Sequence, residues 1–104
     1  MDGTYLVTFT TTPDPIPLNH PFLLNVVIGD GRDRTVIATG VTLAVDAAMP
    51  HHGHGMTTVP RVRPDADGHF TVTGMQLHMA GYWELYFDLT RNGLTERAYL
   101  ALEL

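Results

Sequence analysis

The sequence predicts an all-β protein, an immunoglobulin-like antiparallel β-sandwich of about seven strands that forms one domain over residues 1–104. Short β-branched and aromatic runs alternate with glycine and proline turns, which is typical of strands. No segment has the apolar period of an amphipathic helix. With 44% hydrophobic residues, the 104-residue chain has apolar material for one core and no room for a second.

The first half of the chain predicts three strand regions. Residues 4–10 and 22–28 are β-branched, aromatic or aliphatic runs, and the second ends at a Gly-Asp-Gly turn. Four prolines within residues 11–21 exclude a helix or a central strand, because each lacks a backbone donor and fixes its own φ. Residues 36–47 are again β-rich, and Gly40 marks either a bulge or a break between two strands there.

The second half predicts four more strands, over residues 61–63, 69–73, 82–89 and 94–104. A polar Pro-Asp-Ala-Asp-Gly turn separates the first two, and an Asn-Gly turn separates the last two. Alternation predicts the inward-facing side chains. They are Phe70 and Val72, then Trp83, Leu85, Phe87 and Leu89, then Ala98, Leu100, Leu102 and Leu104.

Composition narrows the function classes. The formal charge is −5, with six arginines, eleven acids and no lysine, which disfavours nucleic acid and anionic membranes as partners. The chain has no cysteine, so zinc–thiolate sites and thiol redox chemistry are excluded. It has no serine either, so acyl-enzyme chemistry lacks its usual nucleophiles, and we expect no enzyme.

Composition leaves two cellular locations open. No run of about 18 apolar residues exists, and Met1-Asp2-Gly3 leads straight into strand-like sequence with no visible signal peptide. The chain is therefore either cytoplasmic as it stands or the soluble part of a longer exported protein that has lost an N-terminal signal or anchor.

Histidine and methionine are concentrated in two segments. Residues 49–56, Met-Pro-His-His-Gly-His-Gly-Met, hold three of the six histidines and two of the five methionines, and residues 75–79, Met-Gln-Leu-His-Met, repeat this chemistry. Imidazole and thioether groups without thiolate or carboxylate form a soft, neutral donor set that suits copper as Cu(I) or Cu(II), whereas calcium and magnesium prefer oxygen. The predicted metal ligands are His52, His54, Met56, His78 and Met79, with Met49 and His51 second.

Chain direction places both segments at one end of the sandwich. If the strand before residue 49 runs up, residues 61–63 run down and residues 69–73 run up again, which returns residues 75–79 to the same end. Two other interpretations stay open for these residues. A histidine-rich loop can be merely solvated, and methionines often only fill a core. His20 and His69 are isolated, and we expect them at the surface.

The residues from Val41 to Leu89 resemble the YtkA-like/FixH-like group of small bacterial extracytoplasmic domains. The resemblance depends on two clusters and the residues between them. These are Ala48-Met49-Pro50-His51-His52-Gly53-His54-Gly55-Met56, Pro60, Asp67-Gly68-His69-Phe70, Gly74-Met75 and His78-Met79-Ala80-Gly81-Tyr82-Trp83-Glu84-Leu85, preceded by the proline-rich Pro15-Ile16-Pro17-Leu18-Asn19.

The resemblance implies an immunoglobulin-like sandwich, export to the periplasm and tethering of the full-length protein by an N-terminal helix or lipid. It also implies copper handling or cytochrome oxidase assembly, with a membrane-bound oxidase or copper-transport protein as partner. His51 and His52 are additions to the bare Met-Pro-Met pattern. The leading expectation is a periplasmic copper carrier or chaperone. The alternative is a metal-independent interaction or accessory domain of a membrane complex.

Overall fold

The computed structural model describes residues 4–104 as two antiparallel four-stranded sheets, so the prediction of a β-sandwich is confirmed. Met1-Asp2-Gly3, where the sequence shows no signal peptide, lie outside the described residues. The strands are β1 (Tyr5–Thr12), β2 (Phe22–Asp30), β3 (Thr42–Met49), β4 (His54–Gly55), β5 (Arg61–Ala66), β6 (His69–Met75), β7 (Tyr82–Arg91) and β8 (Leu94–Glu103).

The order of the strands is that of an immunoglobulin domain. One sheet has the order β1-β2-β6-β5 and the other β4-β3-β7-β8. These orders match the A-B-E-D sheet and the C-F-G sheet of that fold, with β4 added beside the third strand. The additional strand is the two-residue β4, which pairs with the end of β3. It lies inside the first histidine-rich segment, where the glycine content favours a loop.

The core lies between the two sheets and follows the predicted alternation. Trp83, Leu85, Phe87 and Leu89 are all at most 2% exposed, and they face Leu24, Val26, Ile28 and Val72 across the sandwich. Burying these side chains contributes about 1.5–3 kcal/mol each, since that is the usual range for a large apolar residue. Trp83 is the largest of them and fills space between the sheets.

Two predicted strands differ from the structure. Residues 36–38 form only an isolated bridge, in which Ile37 pairs with Gly29, and β3 begins later at Thr42. Gly40, with a φ of 70°, marks the break. The inner face of β8 is also less buried than its alternation suggests, because β8 is an edge strand and Leu100 remains 44% exposed. Within residues 4–104 no helix has the length and apolar character needed to cross a membrane.

Candidate metal centre

The first histidine-rich segment is a tight reversal between β3 and β4. Pro50 begins a single 3₁₀ turn over Pro50–His52, where its fixed φ suits the first helical position. Gly53 follows with a φ of 66°, a left-handed conformation that glycine adopts without steric cost. The chain then returns antiparallel, with His54 opposite Met49. His51, His52 and His54 are consequently exposed on the outside of this turn.

The second segment is anchored to the core at several points. Met75 ends β6, and both Met75 and Leu77 are fully buried. The amide N–H of Asn19 donates to the Leu77 carbonyl at 2.8 Å. The Trp83 indole Nε1–H donates to the Met79 carbonyl at 2.9 Å, so the core tryptophan fixes the backbone on the far side of His78.

The two segments meet at one end of the sandwich. The imidazole centroids of His54 and His78 are 5.5 Å apart, with the ring planes tilted by 38°. A second tie lies nearby, where the Thr58 hydroxyl donates to the Gly74 carbonyl at 2.6 Å. The predicted placement of both segments at the same end therefore agrees with the structure, although 24 positions of sequence separate the two histidines.

Three imidazoles and the indole form a continuous row. His52 and His54 have ring centroids 5.8 Å apart, His54 contacts His78 as above, and His78 meets the Trp83 ring edge-on at 5.6 Å. The row passes from solvent to the core, since His52 and His54 are exposed, His78 is half-buried and Trp83 is fully buried. Any ligand held by His78 therefore lies close to the chain's single tryptophan.

The Nδ1 atom of His78 is buried and has no hydrogen-bond partner within the described residues. A buried polar atom left without a partner costs about 1–3 kcal/mol, so such atoms are rare in folded proteins. A metal ion bound to this nitrogen removes the deficit, because neutral imidazole coordinates through one ring nitrogen. This orphaned nitrogen is the feature of the structure that best fits the predicted donor set.

The remaining candidates lie in different environments. Met79 is 40% exposed beside His78, and Met56 is half-buried against the core. Met49 is fully buried, and its Cε contacts the place that a Cβ at residue 81 would occupy, at 3.0 Å. Because its thioether belongs to the core, Met49 does not share the rim position of the other predicted ligands. His51 also turns away from the row and stacks on Tyr82, with centroids 4.8 Å apart and planes 13° apart.

A carboxylate lies closer to the histidines than the sequence suggested. Glu84 accepts hydrogen bonds from the hydroxyls of Tyr82, at 2.7 Å, and Tyr86, at 2.8 Å. These bonds, with a smaller contribution from nearby His51, hold the pKa of Glu84 below its ordinary value. The bond to Glu84 and partial burial raise the pKa of Tyr82 to about 12. The alternation of residues 82, 84 and 86 on one strand face is the signal that identifies this cluster in the sequence.

The described residues contain no preformed metal site made of acidic, histidine or cysteine side chains. Among residues 4–104, no three His, Cys, Asp or Glu side chains are grouped as a metal site. The close pair of imidazoles, His54 and His78, therefore needs a thioether as a further donor or a shift of His52 towards the pair. Thioether sulfur is a soft donor, and among metal ions it favours Cu(I).

No family model matches the chain, and neither the curated proteins nor the solved structures contain a match to it.

Proposed function

We propose that this chain is a copper-binding domain that carries the ion and delivers it to another protein. The proposed ligands are His54 and His78, with Met79 as the thioether donor and with His52 and Met56 in the next rank. The observation that carries the proposal is the buried Nδ1 atom of His78, which has no hydrogen-bond partner within the described residues. The His78 ring centroid lies 5.5 Å from that of His54, which belongs to the other segment. Met49 and His51 are left out, because one is in the core and the other stacks on Tyr82.

The donor set explains the choice of metal. Imidazole binds copper in both oxidation states, whereas a thioether selects the softer Cu(I). Glu84 is engaged by two tyrosine hydroxyls, so its carboxylate is not offered as a hard oxygen ligand. With neutral ligands only, the site adds no negative charge to compensate a divalent ion, and we expect Cu(I) to bind more tightly than Cu(II).

Exposure of part of the donor set supports a carrier over a permanent structural metal. His54 is exposed and Met79 is 40% exposed, so a ligand of an acceptor protein can replace them one at a time. His78 holds the ion on the core side while the exchange proceeds. A structural metal site, in contrast, is usually closed by its protein ligands. The absence of serine and cysteine supports a carrier without catalytic activity.

Export and family membership are further parts of the proposal, and both depend on the sequence resemblance. We propose that the domain belongs to the YtkA-like/FixH-like group and acts in the periplasm, next to a membrane-bound oxidase or copper transporter. Fractionation of cells that express the full-length gene tests this part. Recovery in the periplasm or the membrane supports it, and recovery in the cytoplasm alone contradicts it.

Competition titration tests the copper site. The domain is titrated with Cu(I) and, separately, with Cu(II) against a chromophoric chelator, while Trp83 fluorescence is recorded. We expect one copper per chain, with quenching of the tryptophan, because Trp83 contacts His78. The double variant His54→Ala/His78→Ala is expected to lose both the tight binding and the quenching.

Matched controls separate a site from general histidine affinity. His20 and His69 are exposed and take no part in the ring row, so the double variant His20→Ala/His69→Ala removes the same number of imidazoles. It is expected to bind copper as the wild type does. Equal affinities for all three proteins, or a wild type that does not compete with the chelator, would contradict the proposed function.

A further inference from the structure

The fold has four sheet edges, and three of them are short, interrupted, or followed directly by proline. The edge strand β4 has only two residues. Strand β5 contains Pro64 and a register shift between Pro64 and Ala66. Strand β1 exposes threonines at its far end and runs directly into a proline-rich segment that begins at Pro13. Short length, proline and irregular register are the usual means by which proteins protect sheet edges.

The fourth edge, β8, carries none of these features. It has ten residues, contains no proline, glycine or lysine, and pairs with β7 in an unbroken register from Leu94 to Glu103. Large apolar side chains are exposed on it beside the charged Arg97 and Glu103, with Tyr99 62% exposed and Leu100 44% exposed. A long, regular, apolar edge is a template for strand addition.

The hydrogen bonds at the end of β8 show which backbone groups face outwards. The N–H of Leu104 donates to the Gly81 carbonyl at 2.9 Å, and the Gly81 N–H donates back at 2.8 Å. Because hydrogen-bonded and non-hydrogen-bonded pairs alternate along an antiparallel ladder, the even-numbered residues of β8 bond to β7. The N–H and C=O groups of the odd-numbered residues point to the free side. They belong to Thr95, Arg97, Tyr99, Ala101 and Glu103.

We propose that β8 pairs antiparallel with β8 of a second copy of this chain, around a two-fold axis at Leu100. This register sets Arg97 opposite Glu103 of the second copy and Tyr99 opposite Ala101, each relation occurring twice by symmetry. All four pairs are of the hydrogen-bonded kind, because their residues carry the outward-facing groups. The two four-stranded sheets then join into one continuous sheet of eight strands.

Charge complementarity favours this occupant and this register. Arg97 and Glu103 are the only charged residues among the outward-bonding positions of β8, and they have opposite signs. The Arg97 guanidinium already donates to both Asp88 carboxylate oxygens, at 2.8 and 2.9 Å. A guanidinium has five N–H donors, so donors remain for a carboxylate opposite. Shifting the axis by one residue in either direction separates these two charges.

The inner face of the strand supports the same pairing. Leu100 lies opposite Leu100 of the second copy as a non-hydrogen-bonded pair, the kind in which facing side chains are closest. An open cavity of about 430 Å³ borders this face, with apolar walls from Phe9, Ile16, Leu102 and Leu104. Leucines of the second copy would project into this space, which covers the exposed Leu100.

Charge reversal tests the register with an internal rescue. In Arg97→Glu a carboxylate faces Glu103 of the second copy, and in Glu103→Arg a guanidinium faces Arg97. Like charges directly opposite are destabilising, so each variant is expected to weaken self-association by about tenfold. An equimolar mixture of the two variants restores both opposite-charge pairs and is expected to form a heterodimer. Sedimentation analysis over a concentration series measures each state.

Controls and a backbone variant complete the experiment. Arg61→Glu and Asp67→Arg make the same charge changes at exposed positions, on β5 and on the turn after it, and are expected to leave the dimer intact. Ala101→Pro removes an outward N–H but no bond to β7, so it is expected to weaken the dimer while circular dichroism shows a folded domain.

A monomeric wild type at millimolar concentration, a dimer indifferent to the variants at residues 97, 101 and 103, or a mixture that stays monomeric would each overturn the proposal. A monomeric wild type that instead binds an extended peptide of another protein would do the same.

Discussion

The two histidine-and-methionine segments have similar compositions but different supports. Residues 49–56 form an exposed reversal in which only Met49 is fully buried. Residues 75–79 lie against the core, with Met75 and Leu77 fully buried and the Met79 carbonyl bound by the Trp83 indole. The first segment therefore presents histidines to solvent, whereas the second holds one histidine in a fixed position.

This difference separates the roles of the proposed ligands. His78 is half-buried and its ring contacts those of His54 and Trp83, so its neighbours restrict its orientation. His54 stands in front of it on the exposed turn and can adjust to the ion or release it. Preorganised ligands supported by a second layer of contacts bind metals more tightly than ligands on free loops. We expect substitutions in the second segment to cost more copper affinity than those in the first.

The largest contrast is expected between His78→Ala and His52→Ala. Loss of partners that merely orient a metal ligand costs about 10–100-fold in affinity, so removal of the oriented ligand itself is expected to cost about 100-fold. His52 is at the solvent end of the ring row, and its removal is expected to cost about threefold or less, within the range of a weak exposed contact. Chelator competition measures both, and equal losses would break the distinction between the segments.

The support of the second segment is tested next by Gly81→Ala. Gly81 has a φ of 132°, and a Cβ there would lie 3.0 Å from the Met49 Cε. Backbone strain and this contact are expected to lower the free energy of unfolding by about 2 kcal/mol. Gly93→Ala is the control, since Gly93 has a φ of 78° with nothing within 4 Å, and it should cost about 1 kcal/mol. Urea unfolding compares them, and a smaller loss for Gly81→Ala would contradict the packing described here.

Met79→Leu against Met75→Leu distinguishes a ligand from a core methionine. Met79→Leu is expected to weaken Cu(I) about tenfold and Cu(II) little, because only the softer ion favours thioether sulfur. Met75 is fully buried, so Met75→Leu conserves volume and is expected to lower stability by less than about 1.5 kcal/mol without changing copper affinity. Chelator competition with each ion measures the affinities. The reverse pattern, in which Met75→Leu weakens Cu(I) binding and Met79→Leu does not, would contradict the assignment of Met79 as the thioether ligand.

Glu84→Gln is expected to change copper affinity least, because Glu84 is not a proposed ligand. Its main expected effect is on the ionisation of Tyr82. The hydrogen bond to Glu84 raises the pKa of Tyr82 to about 12, so the neutral phenol is favoured in the folded state. The stabilisation that this hydrogen bond gives the folded state is present below pH 10 and is lost as the pH rises from about 10 to about 12. In the variant, ultraviolet titration should show Tyr82 ionising nearer its ordinary value. Unchanged titration would show that the bond is absent in solution.

The sequence predicts most of the fold because strand alternation and turn residues are local signals. The inner faces of β3, β6 and β7 follow directly from their period of two. The end of the sandwich at which residues 49–56 and 75–79 meet follows from chain direction alone. The prediction of a strand at residues 36–38 was wrong. A β-branched run forms a strand only where a neighbouring strand offers a full ladder of hydrogen bonds, and here Gly29 offers a single bridge.

The candidate residues could be selected from composition, but the separate positions of their side chains could not be predicted. Burial assigns Met49 to the core and Met79 to the surface, although both are methionines in similar segments. The stacking of His51 on Tyr82 depends on a contact between the turn after β3 and strand β7 that no local pattern specifies. This contact comes from the register of β3 on β7, in which Ala48 lies opposite Glu84. The bonding of Glu84 by two tyrosines lies within β7 and follows from the alternation of that strand.

Anomalous scattering at the copper edge, from a crystal of the copper-loaded domain, tests the shared site most directly. We predict one principal copper peak bonded to imidazole nitrogens of both His54 and His78, with His78 coordinating through Nδ1. A peak bound only to the exposed turn at His51 and His52, or no ordered copper, would contradict the account.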